Sequence, residues 1–558
     1  MRPTPAQADS NSAADGVLQF ARSATIIKAS LKEEMENEKK LTTKTLSLML
    51  FAAVYAFASP GIFYLMGYSA IPVYLIAAIV FFIPFGFMII EYGAAFKNEK
   101  GGIYSWMERS VGEKYAFTTI FMWYSAVIVF LVSICSVFWI RFSALLFGKD
   151  TTASWDFLGL NSTQTVGLLA IALVIFMTFV TTKGLKQIAR IGSYGGIAGL
   201  ILNLALILGA IILLIVNKGV FAEPVTIHAL LRSPNPGYSS LFALVSFVTY
   251  AVLSYGGMEL SAGYVDKTEN PEKTFPRAIL ICALLITIAY SLGVLLIGIF
   301  TNYGTFAAQG ANLGNAAIVV MNNLGYELGL AFGLGDANAL IAGEWTTRFY
   351  SLSVVFMICG QLATILFSPV RQLVEGAPAK FWPGKIAKIE GGMPKRAMWI
   401  QCFLIVAFLV LASFGGAVAS TFFNRVILAS AVAVSVPYVL IAIAFPIFKK
   451  KTEIEKPVTI FKSYKSSLFW TVIVVISVGL ADIITVMMPA MSGDVFSSVV
   501  MVAGPIIFSA IAILLYRRYQ KIPEPGSQPT WSTPVVAHPT HKNFTIDEVD
   551  RRGKIPRR

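Results

Sequence analysis

The sequence predicts an all-α polytopic membrane protein with twelve transmembrane helices. Of its 558 residues, 56% are hydrophobic and only 13% are charged, whereas soluble domains carry about 25% charged residues. The mean hydropathy is +0.71. Apolar stretches of about 20 residues recur along most of the chain, and that length allows a helix to cross a hydrocarbon core of about 30 Å.

The apolar stretches divide the chain into five segments. Residues 1–41 are polar, and no short apolar segment with a small-residue cleavage site comes before the charged run 31–40 within them, so no cleaved signal peptide is expected. Seven helices are predicted in 42–301 and five in 347–516, and the loop 302–346 is expected to be extracellular and to hold short helices. Residues 517–558 are Pro-rich and basic, which is typical of a disordered tail. The twelve predicted helices are 42–68, 71–95, 115–147, 161–182, 191–217, 239–265, 276–301, 347–368, 396–414, 422–448, 469–489 and 496–516.

The basic residues predict the orientation of the chain in the cell (inner) membrane. The net charge is +14, and 38 of the 44 Lys and Arg residues fall in segments that are cytoplasmic if the N-terminus is cytoplasmic. This is the positive-inside pattern, so both termini are predicted to be cytoplasmic and the charge does not indicate a nucleic-acid partner. The four cysteines lie inside apolar runs and the three histidines lack ligand-like spacing. Neither a disulfide scaffold, nor a metal site, nor a cofactor is therefore predicted.

Two predicted helices carry helix-breaking residues near their middle. The first contains Ala58-Ser59-Pro60-Gly61-Ile62, in which Pro60 lacks an amide donor and Gly61 loosens the backbone. The sixth contains Ser254-Tyr255-Gly256-Gly257-Met258-Glu259. Either interruption alone is also explained by packing, because Pro kinks and Gly pairs are common in membrane helices. The two interrupted helices, the first and the sixth, are five positions apart, an odd number, so the second half would be inverted in the membrane. This arrangement is typical of the midplane site of a transporter.

Interrupted helices suit a substrate with two opposite charges. The N-terminus of a half-helix offers free amides and the positive end of a dipole to a carboxylate, and the C-terminus of a half-helix suits an ammonium. An amino acid carries both groups, so the pattern favours an amino acid or a closely related amine. No Lys or Arg is predicted in mid-membrane near the interruptions, which favours neutral, zwitterionic or protonated substrates.

At these residues the sequence resembles the amino acid–polyamine–organocation transporter superfamily. The strongest match joins the sixth-helix run to Glu269-Asn270-Pro271-Glu272-Lys273-Thr274-Phe275-Pro276-Arg277-Ala278. A second match is Glu91 with Gly101-Gly102-Ile103-Tyr104-Ser105-Trp106, and a third is Gly184-Leu185-Lys186. Together the matches extend from about residue 45 to residue 515, which is essentially the whole membrane portion.

Within the superfamily the chain looks most like the bacterial glutamate/γ-aminobutyrate antiporter branch. Similar counterparts there are Phe82-Ile83-Pro84, Gly360-Gln361-Leu362-Ala363 and Ser368-Pro369-Val370-Arg371. The resemblance implies a LeuT-like core of two inverted five-helix repeats with discontinuous helices one and six, plus two accessory helices. It also implies secondary active transport of amino acids by alternating access, as exchange or as proton-coupled uptake, rather than an enzymatic activity.

The resemblance also implies which residues bind substrate. Those in the first helix are Ala58, Ser59, Pro60 and Gly61, facing the carboxylate, and those in the sixth are Ser254, Tyr255, Gly256 and Gly257, facing the amino end. Most members of the family have a Gly–small–Gly run in the first helix, so the Pro in this chain is a departure that removes one amide.

Other residues are candidates because of their position in predicted helices. Glu259 follows the sixth-helix interruption and is the candidate proton-sensitive gate, since a dry site favours a neutral carboxyl group. Trp123 and Tyr124 are candidate aromatic residues lining the site. Arg141 and Arg348 fall near predicted external helix ends, where snorkelling of the side chain to the interface explains them.

Two other function classes stay open at this point. A twelve-helix carrier of another fold for other small organic solutes would, in the major facilitator case, show an Asp-Arg-x-Gly-Arg-Arg-like loop after the second helix. This chain has Lys97-Asn98-Glu99-Lys100-Gly101-Gly102 there. A non-transporting membrane sensor that uses its tails as partner sites is the other alternative. An intramembrane enzyme is not indicated, because no His lies in a predicted helix and no catalytic motif is present.

Overall fold

A computed structural model of the chain describes residues 40–238, 241–312, 315–383, 385–416, 430 and 432–521. This part of the chain is helical, with isolated β-bridges and no strands among the described residues. Nearly all of the two predicted tails and part of the predicted helix 422–448 lie outside the described residues.

The helices follow the apolar stretches of the sequence, and short 3₁₀ and π turns join several of them. The α-helices are α1 (Thr43–Val54), α2 (Ala58–Phe63), α3 (Ala70–Ala77), α4 (Ile83–Ala95), α5 (Ile103–Ser110), α6 (Glu113–Phe147), α7 (Ser162–Thr181), α8 (Leu185–Val216), α9 (Ile227–Leu231), α10 (Leu241–Ser254), α11 (Pro271–Phe300), α12 (Tyr303–Ala308), α13 (Ala316–Ala331), α14 (Asp336–Gly376), α15 (Lys395–Phe414), α16 (Val436–Lys450), α17 (Tyr464–Met491) and α18 (Val495–Gln520). A 3₁₀ segment, Met258–Lys267, follows α10.

Within the described residues, nine helical segments are long and apolar enough to cross a membrane. The first of them, Thr43–Ala95, covers two of the predicted helices. The predicted helices 239–265 and 422–448 are not among the nine. The former consists of a 14-residue α-helix followed by 3₁₀ turns, and the latter is described only in part.

The outer surface of the helices is apolar. Leu204, Phe403 and Ile506 are exposed over 53%, 70% and 62% of their surface, and many similar side chains share that position. A soluble protein would not leave so much apolar surface in water. Such a surface suits contact with lipid tails. Helices can lie there because their backbone N–H and C=O groups are hydrogen-bonded to one another.

The predicted loop 302–346 contains more helix than its hydropathy indicates. α12 and α13 lie within it, and α14 begins at Asp336 rather than at residue 347. The run after Asp336 includes Ala337, Ala339 and Ala342, and Ala forms helices well. The acidic Asp336 in the first turn interacts favourably with the positive end of the helix dipole. Hydropathy marks only the apolar part of a helix, so it placed this start too late.

α8 packs against α1 and α14 with backbone close to backbone. A Cβ atom added at Gly196 of α8 would lie 2.3 Å from the carbonyl oxygen of Leu48 in α1. One added at Gly195 would lie 2.8 Å from the carbonyl oxygen of Phe356 in α14. Small residues allow this close approach, which is a principal source of helix association in membranes.

This packing predicts the effect of a single methyl group. Gly196→Ala should lower the stability of the protein by about 1–3 kcal/mol, the usual cost of overpacking, because a backbone oxygen cannot move aside as a side chain can. The control is Gly479→Ala in α17, where an added Cβ meets nothing within 4 Å. Thermal midpoints measured by size-exclusion chromatography after heating should fall for Gly196→Ala alone. Equal midpoints for the two variants would contradict the close packing.

Candidate functional site

The first interruption lies between α1 and α2. α1 ends at Val54, Tyr55 has an extended backbone (φ −72°, ψ 126°), and α2 begins at Ala58. The break therefore comes directly before the residues that the sequence indicated. Pro60 falls in the first turn of α2, where a missing amide costs nothing because it would have no helical partner.

The residues after this break pack tightly in the described conformation. A Cβ atom added at Gly61 would lie 3.0 Å from the backbone of Ala317 in α13, and one added at Gly293 would lie 2.8 Å from Pro60. Ser59 is 4% exposed. Gly61 thus allows a close approach of α2 to α13.

The second interruption lies between α10 and the 3₁₀ segment. α10 ends at Ser254, and Gly257 has a φ of 115°, which favours glycine. The Tyr255 ring stacks on Phe82 at 4.5 Å between centroids. A Cβ atom at Gly256 would lie 2.7 Å from the hydroxyl of Tyr438. This stretch therefore turns the chain where a larger residue would not fit.

Tyr290 of α11 joins the two interruptions. Its hydroxyl accepts a hydrogen bond from the amide of Ala56 at 3.1 Å and donates one to the carbonyl oxygen of Ser254 at 3.3 Å. Its ring lies 5.1 Å from Tyr55 and 5.3 Å from Tyr255 between centroids, and the residue is fully buried. Sequence reasoning missed Tyr290, although a Tyr in mid-helix of an otherwise apolar span was an available signal.

Glu259 lies at the start of the 3₁₀ segment, where it accepts three hydrogen bonds. Its oxygens receive the indole N–H of Trp123 at 3.3 Å, the hydroxyl of Tyr438 at 3.1 Å and the amide of Gly257 at 3.0 Å. Glu259 is 3% exposed. The structure thus brings Trp123 to the second interruption, whereas the half-buried Tyr124 makes no hydrogen bond or ring contact with either interruption among the described residues.

A cavity of about 290 Å³ lies beside the first interruption. The unwound residues 55–57, with Ala52 of α1 and Ala58 of α2, form one wall, and α6 and α14 form the other two. Its polar groups include Arg141 of α6 together with Tyr350 and Gln361 of α14. Ala58 lines this cavity, whereas Ser59, Pro60 and Gly61 do not. The amide nitrogen of the Gln361 side chain donates to the carbonyl oxygen of Ala53 at 2.9 Å, which satisfies an end of α1.

Arg371 ties the 3₁₀ segment to α14. Its guanidinium pairs with Asp266 at 2.6 Å and with Glu375 at 2.9 Å, and it donates to the carbonyl oxygen of Gly263 at 2.6 Å. Ser368, one turn earlier, donates to the carbonyl oxygen of Leu260 at 2.6 Å. Arg371 is 1% exposed, so these partners replace water entirely.

Glu91 of α4 makes a second buried ion pair. It binds Lys449 of α16 at 2.7 Å and accepts the consecutive amides of Ile460 and Phe461 at 2.7 Å each. Glu91 is fully buried. The carboxylate therefore holds the segment before α17 against α4.

Comparison with known proteins agrees with this architecture. Residues 40–515 match the family model described as amino acid permease. The inner membrane transporter YjeM of Escherichia coli K12 is 44% identical over 485 residues, covering 86% of this chain and 96% of the relative. The YjeM protein of Salmonella typhimurium LT2 is 42% identical, covering 88% and 99%.

More distant relatives include two Lactococcus lactis proteins. The glutamate/gamma-aminobutyrate antiporter of the subspecies cremoris is 22% identical over 61% of this chain and 62% of its own length. The aspartate/glutamate permease AcaP of the same subspecies is 24% identical over 68% of this chain and 73% of its own length. The match to the family model covers most of the chain, so this multi-pass membrane protein belongs to the amino acid permease family, within the amino acid–polyamine–organocation superfamily.

Proposed function

We propose that this protein is a secondary active transporter that carries amino acids, or closely related amines, across the cell's inner membrane by alternating access. The substrate site is at the two helix interruptions. Membership of the amino acid permease family supports the substrate class. The names of the relatives, an inner membrane transporter and a glutamate/gamma-aminobutyrate antiporter, support the location and an exchange mode.

The contact of Tyr290 with both interruptions is the observation that carries this proposal. Its hydroxyl is hydrogen-bonded to the amide of Ala56, just before α2, and to the carbonyl oxygen of Ser254, at the end of α10. Two breaks that share a buried partner form one polar locus, as expected for a transporter site between repeats.

The proposed topology has twelve membrane helices, with helices one to five and six to ten as inverted repeats. The described run Thr43–Ala95 counts as two of them, since Gly67 leaves the helical region at φ 64° and ψ −155°. The segments 239–265 and 422–448 supply the remaining two. The distribution of basic residues places the tails 1–41 and 517–558 in the cytoplasm and the loop 302–346 outside.

Counterflow in proteoliposomes tests the proposal. Vesicles loaded with one unlabelled amino acid or amine from a panel should accumulate the labelled compound from outside, with saturable kinetics and with pH and voltage set independently. Empty vesicles and vesicles carrying Tyr290→Phe serve as controls. No trans-stimulation by any amino acid or amine would defeat the proposal, and non-saturable flux would indicate a pore.

Glu259 couples protonation to the second interruption in this scheme. Its carboxylate accepts three donors, including the amide of Gly257 at the break itself. A proton on that carboxylate replaces one acceptor position with a donor, which weakens a bond that holds the start of the 3₁₀ segment. Protonation therefore favours a rearrangement at the site.

Glu259→Gln should flatten the pH dependence of transport, because Gln keeps the size of Glu but does not titrate. Exchange rates measured from pH 5 to pH 8 should vary for the wild type and stay constant for the variant. Glu344→Gln, at an exposed position of α14, should keep the wild-type profile. An unchanged profile in Glu259→Gln would remove Glu259 from the coupling.

A further inference from the structure

Arg141 carries the one charge among the described residues that line the cavity beside the first interruption. The sequence alone explained Arg141 by snorkelling to the membrane surface. In the structure Arg141 is half-buried and lines this cavity, and its Nη1 atom is buried with no hydrogen-bond partner among the described residues. The guanidinium carbon lies 5.8 Å from the centre of the Tyr350 ring.

The contacts of Tyr350 place this guanidinium near the unwound backbone. The Tyr350 ring lies 5.7 Å from that of Phe57, one of the residues between α1 and α2. The hydroxyl of Tyr350 is also buried with no hydrogen-bond partner among the described residues. The cavity therefore holds a cation and a hydroxyl, both with unused donors, one ring contact away from the interruption.

The buried Nη1 atom of Arg141 lacks an acceptor among the described residues. Charged side chains within membrane segments are costly to insert, and they pair with one another or mark a substrate path. The planar fork of Arg matches a carboxylate through two parallel hydrogen bonds. No Asp or Glu lines the cavity among the described residues, so the acceptor comes from outside the chain.

We propose that Arg141 binds the side-chain carboxylate of an acidic amino acid, which makes dicarboxylic amino acids the preferred substrates of this site. The unwound residues 55–57 then face the α-amino and α-carboxylate groups, and the Tyr350 hydroxyl donates a further hydrogen bond. This inference rests on the proposed function and narrows its substrate class. It replaces the expectation of neutral, zwitterionic or protonated substrates, which depended on there being no cation close to the interruptions.

Competition between matched substrates tests the assignment. L-glutamate and L-glutamine differ in the side-chain carboxylate but share the α-groups, so the ratio of their counterflow rates isolates the contribution of that carboxylate. Wild-type protein should prefer glutamate at least tenfold. Arg141→Gln should lower this ratio at least tenfold while glutamine exchange stays within about twofold, and Arg141→Lys should give an intermediate ratio. The control is Arg348→Gln. Arg348 lies two residues before Tyr350 in α14 but does not line the cavity, so this variant should leave the ratio unchanged.

A binding measurement separates failure of this assignment from failure of the transport proposal. Glutamate should raise the thermal midpoint of purified wild-type protein, and Arg141→Gln should abolish that shift. If the protein exchanges amino acids but Arg141→Gln does not change the glutamate-to-glutamine ratio, the assignment is overturned and the transport proposal stands. Equal loss of glutamate and glutamine exchange also overturns it, since Arg141 would then bind the α-carboxylate. A glutamate-dependent shift without any exchange supports the binding site and defeats transport.

Discussion

Arg371→Met should cost about 3–5 kcal/mol of stability, the largest loss expected for a single substitution in this chain. The substitution leaves Asp266 and Glu375, which are 13% and 9% exposed, without their shared cation. It also leaves the carbonyl oxygen of Gly263 without its donor. Uncompensated buried charge is far more costly than the loss of a surface pair, so most of the protein should fail to fold.

Expression level, monodispersity and thermal midpoint after solubilisation measure this effect. The matched control is Arg109→Met, because the Arg109 side chain is 59% exposed and pairs with Glu99 at 3.0 Å. A surface pair of this kind contributes about 0–1 kcal/mol, so the control should behave like the wild type. Arg371→Lys should recover part of the stability, since it keeps the charge but not the planar fork. Similar midpoints for Arg371→Met and Arg109→Met would show that the buried network contributes little.

Tyr290→Phe should lower the rate of amino-acid exchange at least tenfold while the protein stays folded. The substitution keeps the ring and its stacking on Tyr55 but removes the hydroxyl that serves Ala56 and Ser254. An unpaired buried backbone group costs about 1–3 kcal/mol, and about 1.4 kcal/mol changes an equilibrium tenfold. The conformation that aligns the two interruptions is therefore depopulated.

The measurement is the initial counterflow rate at saturating substrate, corrected for the amount of reconstituted protein. Tyr194→Phe in α8 is the control, because Tyr194 is 56% exposed on the outer surface. The control should keep the wild-type rate and melting temperature. A wild-type rate in Tyr290→Phe would mean that the hydroxyl only fills space between the breaks, and the locus for the site would have to be moved.

The helices and the general position of the interruptions could be predicted because both are local properties of the sequence. Apolar stretches report helix length directly, and the run Ser254–Glu259 does end α10. The first break was placed late for an equally local reason. Pro60 has no amide N–H to donate, but this disrupts a helix only in its interior. Pro60 lies in the first turn of α2, so the helix continues through it.

The side-chain contacts between helices could not be predicted, because they depend on which way each helix faces. Arg141 near a predicted helix end was interpreted as a snorkelling residue, whereas the rotation of α6 turns it toward Tyr350. Tyr438 falls in a predicted helix that no motif singled out, yet it reaches Glu259 from α16. Only the packing of α6, α11, α14 and α16 in space brings these groups together.

The Glu91 carboxylate limits which helices can move relative to one another during a transport cycle. It is shared by α4, by α16 through Lys449 and by the segment before α17 through Ile460 and Phe461. Separation of any one of the three would leave a buried charge with unmet partners, at a cost of several kcal/mol. Relative motion is cheaper along apolar contacts, where one surface slides over another. In the proposed alternating-access cycle, we therefore expect these three elements to move together as one body.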